Sequence, residues 1–144
     1  MDKKRFIRWS ISVLGGVGVV VTVLCVCTIV IPVPNGTFNS GRVNGFSADL
    51  GVAAGVLLTV LGIASFFVST EEKLPLACVC FYLIPTAALS LAALIIAVQH
   101  IQHFNREADP TSILHRLGAV AAVNAISFLV QVITVTASIM DLIE

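Results

Sequence analysis

Charged side chains are what this sequence has least of. Only 11% of its 144 residues are Asp, Glu, Lys or Arg, whereas 58% are hydrophobic, and the mean hydropathy is +1.03. A typical soluble domain carries roughly 25% charged residues. Lys plus Arg and Asp plus Glu cancel at 8 each, so no basic surplus is available for a nucleic-acid backbone and no nucleic-acid partner is expected. The composition predicts one small integral membrane domain covering 1–144.

Reactive motifs are missing as well. The sequence has no P-loop, no GxSxG and no HExxH pattern. Its apolar segments contain no carboxylate pair, and ionisable groups inside the membrane are the usual mark of ion or proton paths. We therefore expect no enzymatic activity, no catalytic residue, no bound metal and no cofactor.

The few charges are segregated, and they leave four long apolar segments between them. A membrane-spanning helix needs about 20 apolar residues to cross a hydrocarbon core of roughly 30 Å. Four windows meet this requirement, at about 9–31, 49–69, 75–99 and 113–140. The sequence thus predicts an all-α membrane protein, an antiparallel bundle of four transmembrane helices.

The distribution of Lys and Arg predicts the orientation of this bundle. Cytoplasmic segments carry the excess of Lys and Arg in membrane proteins. Five of these residues fall on the side of the N-terminus and three on the other: Lys3, Lys4, Arg5, Arg8 and Lys73 against Arg42, Arg106 and Arg116. Both termini are therefore predicted to be cytoplasmic, with outer loops at about 32–48 and 100–112 and a short inner turn near 70–74.

Small and polar residues recur every three or four positions along the predicted helices. Membrane helices associate through small residues and interhelical hydrogen bonds, so these residues predict a left-handed bundle. The alternative is a shared polar surface that lines a path or faces a partner, built mainly by Asn124 and Gln131. The pattern of helix 1 is weaker, with Ser12, Gly15 and Thr22 on one flank and Gly16 and Gly18 nearby. The predicted helix-packing or partner-binding residues are Gly51, Gly55, Gly62, Ser90, Asn124, Ser127 and Gln131.

The four cysteines form two Cys-Val-Cys pairs, Cys25 with Cys27 and Cys78 with Cys80. Such pairs suggest a four-thiolate metal site. At 1.5 Å per residue, however, the first pair lies about 26 Å from the cytoplasmic side and the second only a few ångströms from it. The pairs are then too far apart for a shared metal or a disulfide. Cys78 and Cys80, near the cytoplasmic boundary, are candidate palmitoylation sites.

Histidines and a sequon mark the predicted outer side. His100, His103 and His115 are candidates for a metal-binding or pH-sensing site, since His100 and His103 share a helix face at i, i+3. The alternative is that all three are solvated interfacial side chains. Asn35 opens an Asn-Gly-Thr sequon and is a candidate glycosylation site.

The layout of the whole chain resembles that of small tetraspan families such as the MARVEL-domain and claudin-like proteins. The resemblance is one of layout, because loop 32–48 lacks the Trp and Cys of the claudin pattern, and no family is assigned. We expect a non-enzymatic accessory subunit or membrane-organising component that packs laterally in a larger assembly. Alternatives are a homo-oligomeric channel or carrier lined by the polar stripe of helix 4, and a metal- or pH-sensing outer mouth.

The expected partners follow from this hypothesis. They are the lipid bilayer and either other membrane proteins or further copies of the chain. The chain is predicted to be a multi-pass integral membrane protein. Both the plasma membrane and an endomembrane are open as its location, since we find no sorting signal in the sequence that selects between them.

Overall fold

The described part of the protein folds into four α-helices. In this computed structural model, residues 3–30, 45–67, 73–106 and 111–143 are described, with side chains at 4–27, 49–67, 73–99 and 118–143. Within these ranges every residue outside 65–67 is helical, so the predicted all-α fold is confirmed. The helices are α1 Lys3–Val30, α2 Gly45–Ala64, α3 Lys73–Arg106 and α4 Thr111–Ile143.

Helices α1 and α3 each pack against α2 and α4, and α2 also approaches α4. Within the described residues the backbones of α1 and α3 stay apart, on opposite corners of the bundle. Gly15 of α1 faces Gly62 of α2, and Cys25 faces Gly51, so these two helices run in opposite directions. Helices α3 and α4 are tied at Ser90 by a hydrogen bond from α4. The described helices thus form a four-helix bundle in which chain neighbours are spatial neighbours.

The buried face of each helix follows a repeat of alternating three- and four-residue steps. On α1 the repeat consists of the buried positions Ile7, Ile11, Leu14, Gly18, Val21 and Cys25, and Ser10 is buried beside it. On α4 it consists of Val120, Asn124, Ser127, Gln131, Thr134 and Ser138, and Ala121 is buried beside it. A repeat that averages 3.5 residues keeps one stripe turned toward the partner helices when they wrap with a left-handed twist.

Apolar side chains fill both ends of the bundle interior. One cluster lies at the end where α1 and α3 begin; it consists of Ile7, Ile11, Leu14, Leu58, Leu61, Leu76, Val79 and Leu83. The other lies toward the opposite end, and it consists of Val21, Cys25, Ala97, Val120 and Ala121. Both clusters contain residues from three helices, so each links most of the bundle.

Three of the four helices are long and apolar enough to cross a membrane. The qualifying segments are Lys4–Cys27, Lys73–Gln99 and Gly118–Ile143. The apolar part of α2, Asp49–Ala64, is shorter than 18 residues. Residues 65–67 form a turn in which Phe66 and Phe67 donate backbone hydrogen bonds three residues back, at 3.2 and 2.9 Å. Regular helix therefore ends before the limit of about 69 predicted for the second span, and that span stays a prediction.

A tyrosine joins α2 to α3. The Tyr82 hydroxyl on α3 donates a hydrogen bond to the Leu57 carbonyl oxygen on α2 at 2.5 Å. Tyr82→Phe should lower the free energy of unfolding by about 1 kcal/mol, because it deletes one interhelical hydrogen bond and keeps the ring. The measurement is reversible unfolding in mixed micelles. Phe81→Leu, at an outward position that is 76% exposed, is the control; equal stability of the two variants would contradict this expectation.

Candidate functional site: the polar seam of the bundle interior

Among the described side chains, eight polar ones are buried inside the bundle, and we call this set the polar seam. Its members are Ser10, Thr86, Ser90, Asn124, Ser127, Gln131, Thr134 and Ser138, none of them more than 4% exposed. Five of the eight lie on α4, from Asn124 to Ser138. Fourteen residues of helix extend over about 21 Å, so the seam follows most of the length of the bundle interior.

Gln131 occupies the middle of the polar seam and connects two helices. Its Nε2 donates a hydrogen bond to Ser90 Oγ on α3 at 3.0 Å. The same nitrogen donates to Ser127 Oγ, one turn earlier on α4, at 2.9 Å. All three side chains are fully buried. This is a hydrogen-bonded link between α3 and α4 in a region where water does not compete for the donors.

Asn124 marks the point at which three helices meet. Its Nδ2 donates to the Val120 carbonyl oxygen of its own helix at 2.8 Å, and its side chain lies within hydrogen-bonding reach of the Cys25 thiol on α1. On α2, Gly51 leaves room for both: a Cβ there would lie 2.5 Å from Cys25 Sγ and 3.2 Å from Asn124 Nδ2. The absence of a side chain at Gly51 thus lets α2 approach α1 and α4 together.

The threonines of the interior satisfy their hydroxyls within their own helices. Thr86 donates to the Tyr82 carbonyl oxygen at 2.9 Å and Thr134 to the Val130 carbonyl oxygen at 2.8 Å. Such i to i−4 bonds let a hydroxyl be buried without a partner on another helix.

The two amide oxygens of the polar seam are not satisfied in this way. Asn124 Oδ1 and Gln131 Oε1 accept no hydrogen bond from the described residues. Both belong to fully buried side chains. The hydroxyl oxygen of Ser138 is likewise buried without a hydrogen-bond partner among the described residues. Leaving a buried polar atom unpaired costs about 1–3 kcal/mol, so these three atoms are points at which the described interior has capacity for an additional hydrogen bond.

Glycines bring α1 and α2 into backbone contact. A Cβ at Gly62 would lie 2.5 Å from the Cα of Gly15, and a Cβ at Gly18 would lie 2.7 Å from the carbonyl oxygen of Gly55. A Cβ at Gly55 would in turn meet the backbone of Gly18 and Thr22, each at 2.9 Å. Since no real Cβ fits at such distances, these glycines set the separation of the two helices.

The predicted helix-packing or partner-binding residues all lie between helices of this chain. Each of the seven is buried: Gly51, Gly55, Gly62, Ser90, Asn124, Ser127 and Gln131. A partner would therefore meet other residues, those of the outer surface. The α1 side of the glycine contact, Gly15 and Gly18, was not among the predicted packing residues. The sequence signal that identifies Gly18 is its place in the heptad spacing of Ile7, Ile11 and Leu14.

The four cysteines are free and lie at two levels. Cys25 and Cys80 are buried, whereas Cys27 and Cys78 are exposed. Cys25 lies beside Asn124 and Cys80 beside Ser138, and these two α4 residues are about 21 Å apart along the helix. The pairs are thus too distant to share a metal ion or a disulfide. Of the two candidate palmitoylation sites, Cys78 is open and Cys80 is enclosed, and the modification itself stays a prediction.

The other predicted sites lie outside the described side chains. His100 and His103 belong to the last turns of α3 and His115 to the first turns of α4, at the same end of the bundle. Their side chains are not described, and Asn35 lies outside the described residues altogether. Where side chains are described, no three His, Cys, Asp or Glu residues gather in a way that could hold a metal ion. The outer metal or pH site and the glycosylation site stay predictions.

No family model, curated protein or solved structure matches this chain. The chemistry of the interior is that of neutral hydroxyl, amide and thiol groups, which exchange hydrogen bonds between helices. The feature of the described structure that bears on function is the division of polar and apolar side chains between the interior and the outer surface.

Proposed function

We propose that this chain is an integral membrane protein with four spans and cytoplasmic termini. It acts without catalysis, by lateral packing, as an accessory subunit or membrane-organising component of a larger assembly. The single observation that carries the proposal is an inverted distribution of side chains: polar groups line the interior and large apolar groups cover the outside.

Every helix contributes large apolar side chains to the outer surface. Val23 on α1 is 57% exposed, Ile63 on α2 56%, Ile84 on α3 56% and Leu129 on α4 59%. A soluble monomer rarely exposes contiguous apolar patches larger than a few hundred Å², whereas hydrocarbon solvates such a surface. Small and polar residues then hold the helices together, because lipid provides no hydrophobic force between them.

The exposed apolar face of α2 supports a fourth span. Val56, Val60 and Ile63 point outward from this shorter helix at 45%, 52% and 56% exposure. The antiparallel arrangement also brings the start of α1 and the end of α4 to one end of the bundle. The cations Arg5, Arg8 and Lys73 lie at that end, which supports its assignment to the cytoplasmic side.

Lateral packing is the role that this arrangement leaves open. The predicted packing residues contact other helices of the same chain. Lipid and partner helices would therefore contact the apolar outer surface. Native mass spectrometry of the gently extracted complex tests the proposal. The expected result is one larger, unrelated membrane protein at fixed stoichiometry, absent from a tag-only control. Recovery of the chain solely as a monomer or as a ring of itself would contradict an accessory role.

The second candidate is a channel or carrier, and the unpaired oxygens of Asn124 and Gln131 favour it. Because the polar seam lies inside a single bundle, a path along it would run through each copy of the chain rather than between copies. This function requires solute or water flux in proteoliposomes that Asn124→Leu and Gln131→Leu abolish without reducing folded yield. No flux in the wild type, with reduced folded yield in both variants, would assign the seam to helix packing.

A further inference from the structure

The outer face of α1 changes from charged to apolar along its length. Five exposed residues of α1 follow one another at spacings of three, one, three and four, which places them on one outward stripe: Arg5, Arg8, Trp9, Ser12 and Gly16. Trp9 is 58% exposed, and its ring lies 6.4 Å from that of Phe6. Tryptophan concentrates where a membrane meets water, so the stripe has two arginines at the level of an interface and apolar surface beyond it.

A groove opens beside this stripe, on the flank of α1 that faces α4 and farther along the helix from the arginines; Gly16 belongs to both the stripe and the groove. It has a volume of about 400 Å³ and lies between α1 and α4, lined by Val13, Gly16, Val17, Val20, Val123 and Ile126. A Cβ at Gly16 would meet nothing within 4 Å. Unlike the glycines that face α2, Gly16 therefore contributes empty space to the outer surface rather than a helix contact.

We propose that this face binds an anionic glycerophospholipid of the cytoplasmic leaflet. The guanidinium groups of Arg5 and Arg8 hold its phosphate, Trp9 lies at its glycerol region, and one acyl chain occupies the groove at Gly16. Arginine suits this role because its planar fork can donate two parallel hydrogen bonds to one phosphate. The inference rests on the proposed insertion of the bundle in a membrane.

The spacing of the two parts agrees with the dimensions of one leaflet. Arg5 and Gly16 are eleven residues apart, which corresponds to about 16 Å along the helix. Half of a hydrocarbon core of roughly 30 Å is about 15 Å. A chain that starts near the arginines thus reaches the groove within its own leaflet.

Charge complementarity here is local rather than general. By sequence, the proposed cytoplasmic side carries five cations, Lys3, Lys4, Arg5, Arg8 and Lys73, and five carboxylates, Asp2, Glu71, Glu72, Asp141 and Glu144. Because these charges cancel, this side as a whole does not attract an anionic surface. Selectivity for an anionic lipid must come from the placement of Arg5 and Arg8 on the outward stripe beside the groove.

The test counts the lipids that remain on the purified full chain in nanodiscs of mixed phosphatidylglycerol and phosphatidylcholine. Arg5→Gln/Arg8→Gln should reduce the preference for phosphatidylglycerol by about fivefold for each arginine. Gly16→Leu should displace the retained lipid by filling the groove. The matched controls are Lys73→Gln, which removes an exposed cation at the same end on α3, and Gly118→Leu, since Gly118 also has no neighbour within 4 Å of a Cβ.

Equal phosphatidylglycerol retention in the wild type and in the arginine variant would overturn the inference. Loss of preference in Lys73→Gln to the same degree would overturn it too, because bulk charge would then be responsible. Free glycerol 3-phosphate should bind more weakly than the lipid, because it has no acyl chain to occupy the groove. If it displaces the lipid with the affinity of the lipid itself, the groove contributes nothing to binding, which would contradict the inference. Resistance of the wild type to alkaline extraction from membranes is measured in parallel. A chain that is extracted contradicts the proposed membrane function, whereas an integrated chain without lipid preference contradicts this inference alone.

Discussion

Gly55→Leu should abolish the folded bundle. At this position a Cβ would press on the Thr22 hydroxyl and would lie 2.9 Å from the Gly18 carbonyl oxygen and the Thr22 backbone nitrogen. Ordinary overpacking of a core costs about 1–3 kcal/mol. Here the obstacle is backbone, which moves only if α1 and α2 separate. We expect little or no monodisperse protein after size-exclusion chromatography in detergent.

Gly16→Leu is the matched control for this experiment, because the same substitution on the outer side of α1 meets open space. It should give wild-type folded yield. Alanine variants extend the comparison. Gly55→Ala should destabilise more than Gly51→Ala, because a Cβ at Gly55 also meets backbone atoms at 2.9 Å, whereas the atoms near Gly51 belong to the side chains of Cys25 and Asn124. Wild-type yield and unfolding midpoint for Gly55→Leu would show that α1 and α2 do not pack through these glycines.

The second large effect is expected at the link between Gln131 and Ser90. Gln131→Met preserves the approximate shape and removes the two hydrogen bonds that Nε2 donates. Interhelical hydrogen bonds in membranes contribute about 0.6–1.7 kcal/mol, and Gln131→Met should lower the free energy of unfolding by an amount in this range. Ser90→Ala should lower the free energy of unfolding less in the Gln131→Met background than in the wild type, because Gln131→Met has already removed the hydrogen bond between the two side chains. A double-mutant cycle of reversible unfolding measures this coupling.

Thr134→Ala supplies the control cycle. The Thr134 hydroxyl donates to the Val130 carbonyl oxygen of its own helix. The changes in unfolding free energy caused by Thr134→Ala and Ser90→Ala should therefore be additive, with no coupling energy. A coupling energy near zero for Gln131 and Ser90, equal to that of the control pair, would mean that the two side chains do not support each other across α3 and α4.

The main features of the fold could be predicted because they depend on local patterns. Long segments without charge predicted four helices, and the three- and four-residue spacing on α4 selected Asn124, Ser127 and Gln131, which are all buried. The limit of α2 was harder to predict, because the apolar sequence continues through Phe66 and Phe67 while the helix ends at Ala64. Hydropathy does not distinguish an apolar turn from an apolar helix.

The direction in which a small residue faces could not be predicted from its type. Gly15, Gly16 and Gly18 occur within four positions, yet Gly15 and Gly18 meet α2 whereas Gly16 opens a groove. Only the rotation of α1 about its axis decides among them, and the partner helices fix that rotation. For the same reason the sequence left open whether the polar stripe of α4 faces its own bundle or a second molecule.

Collision measurements on spin labels test the membrane-embedded bundle most directly. Single labels would be placed at outward mid-helix positions, Val19, Val56, Leu91 and Ile133, which are 48%, 45%, 37% and 52% exposed, in a cysteine-free chain in liposomes. Lipid-soluble oxygen should accelerate the relaxation of all four labels, including the one at Val56 on α2, more strongly than a water-soluble nickel chelate does. A label at Lys73 should show the reverse. If the nickel chelate has the stronger effect at Val56, α2 does not span the membrane. The same result at all four positions would contradict insertion of the bundle.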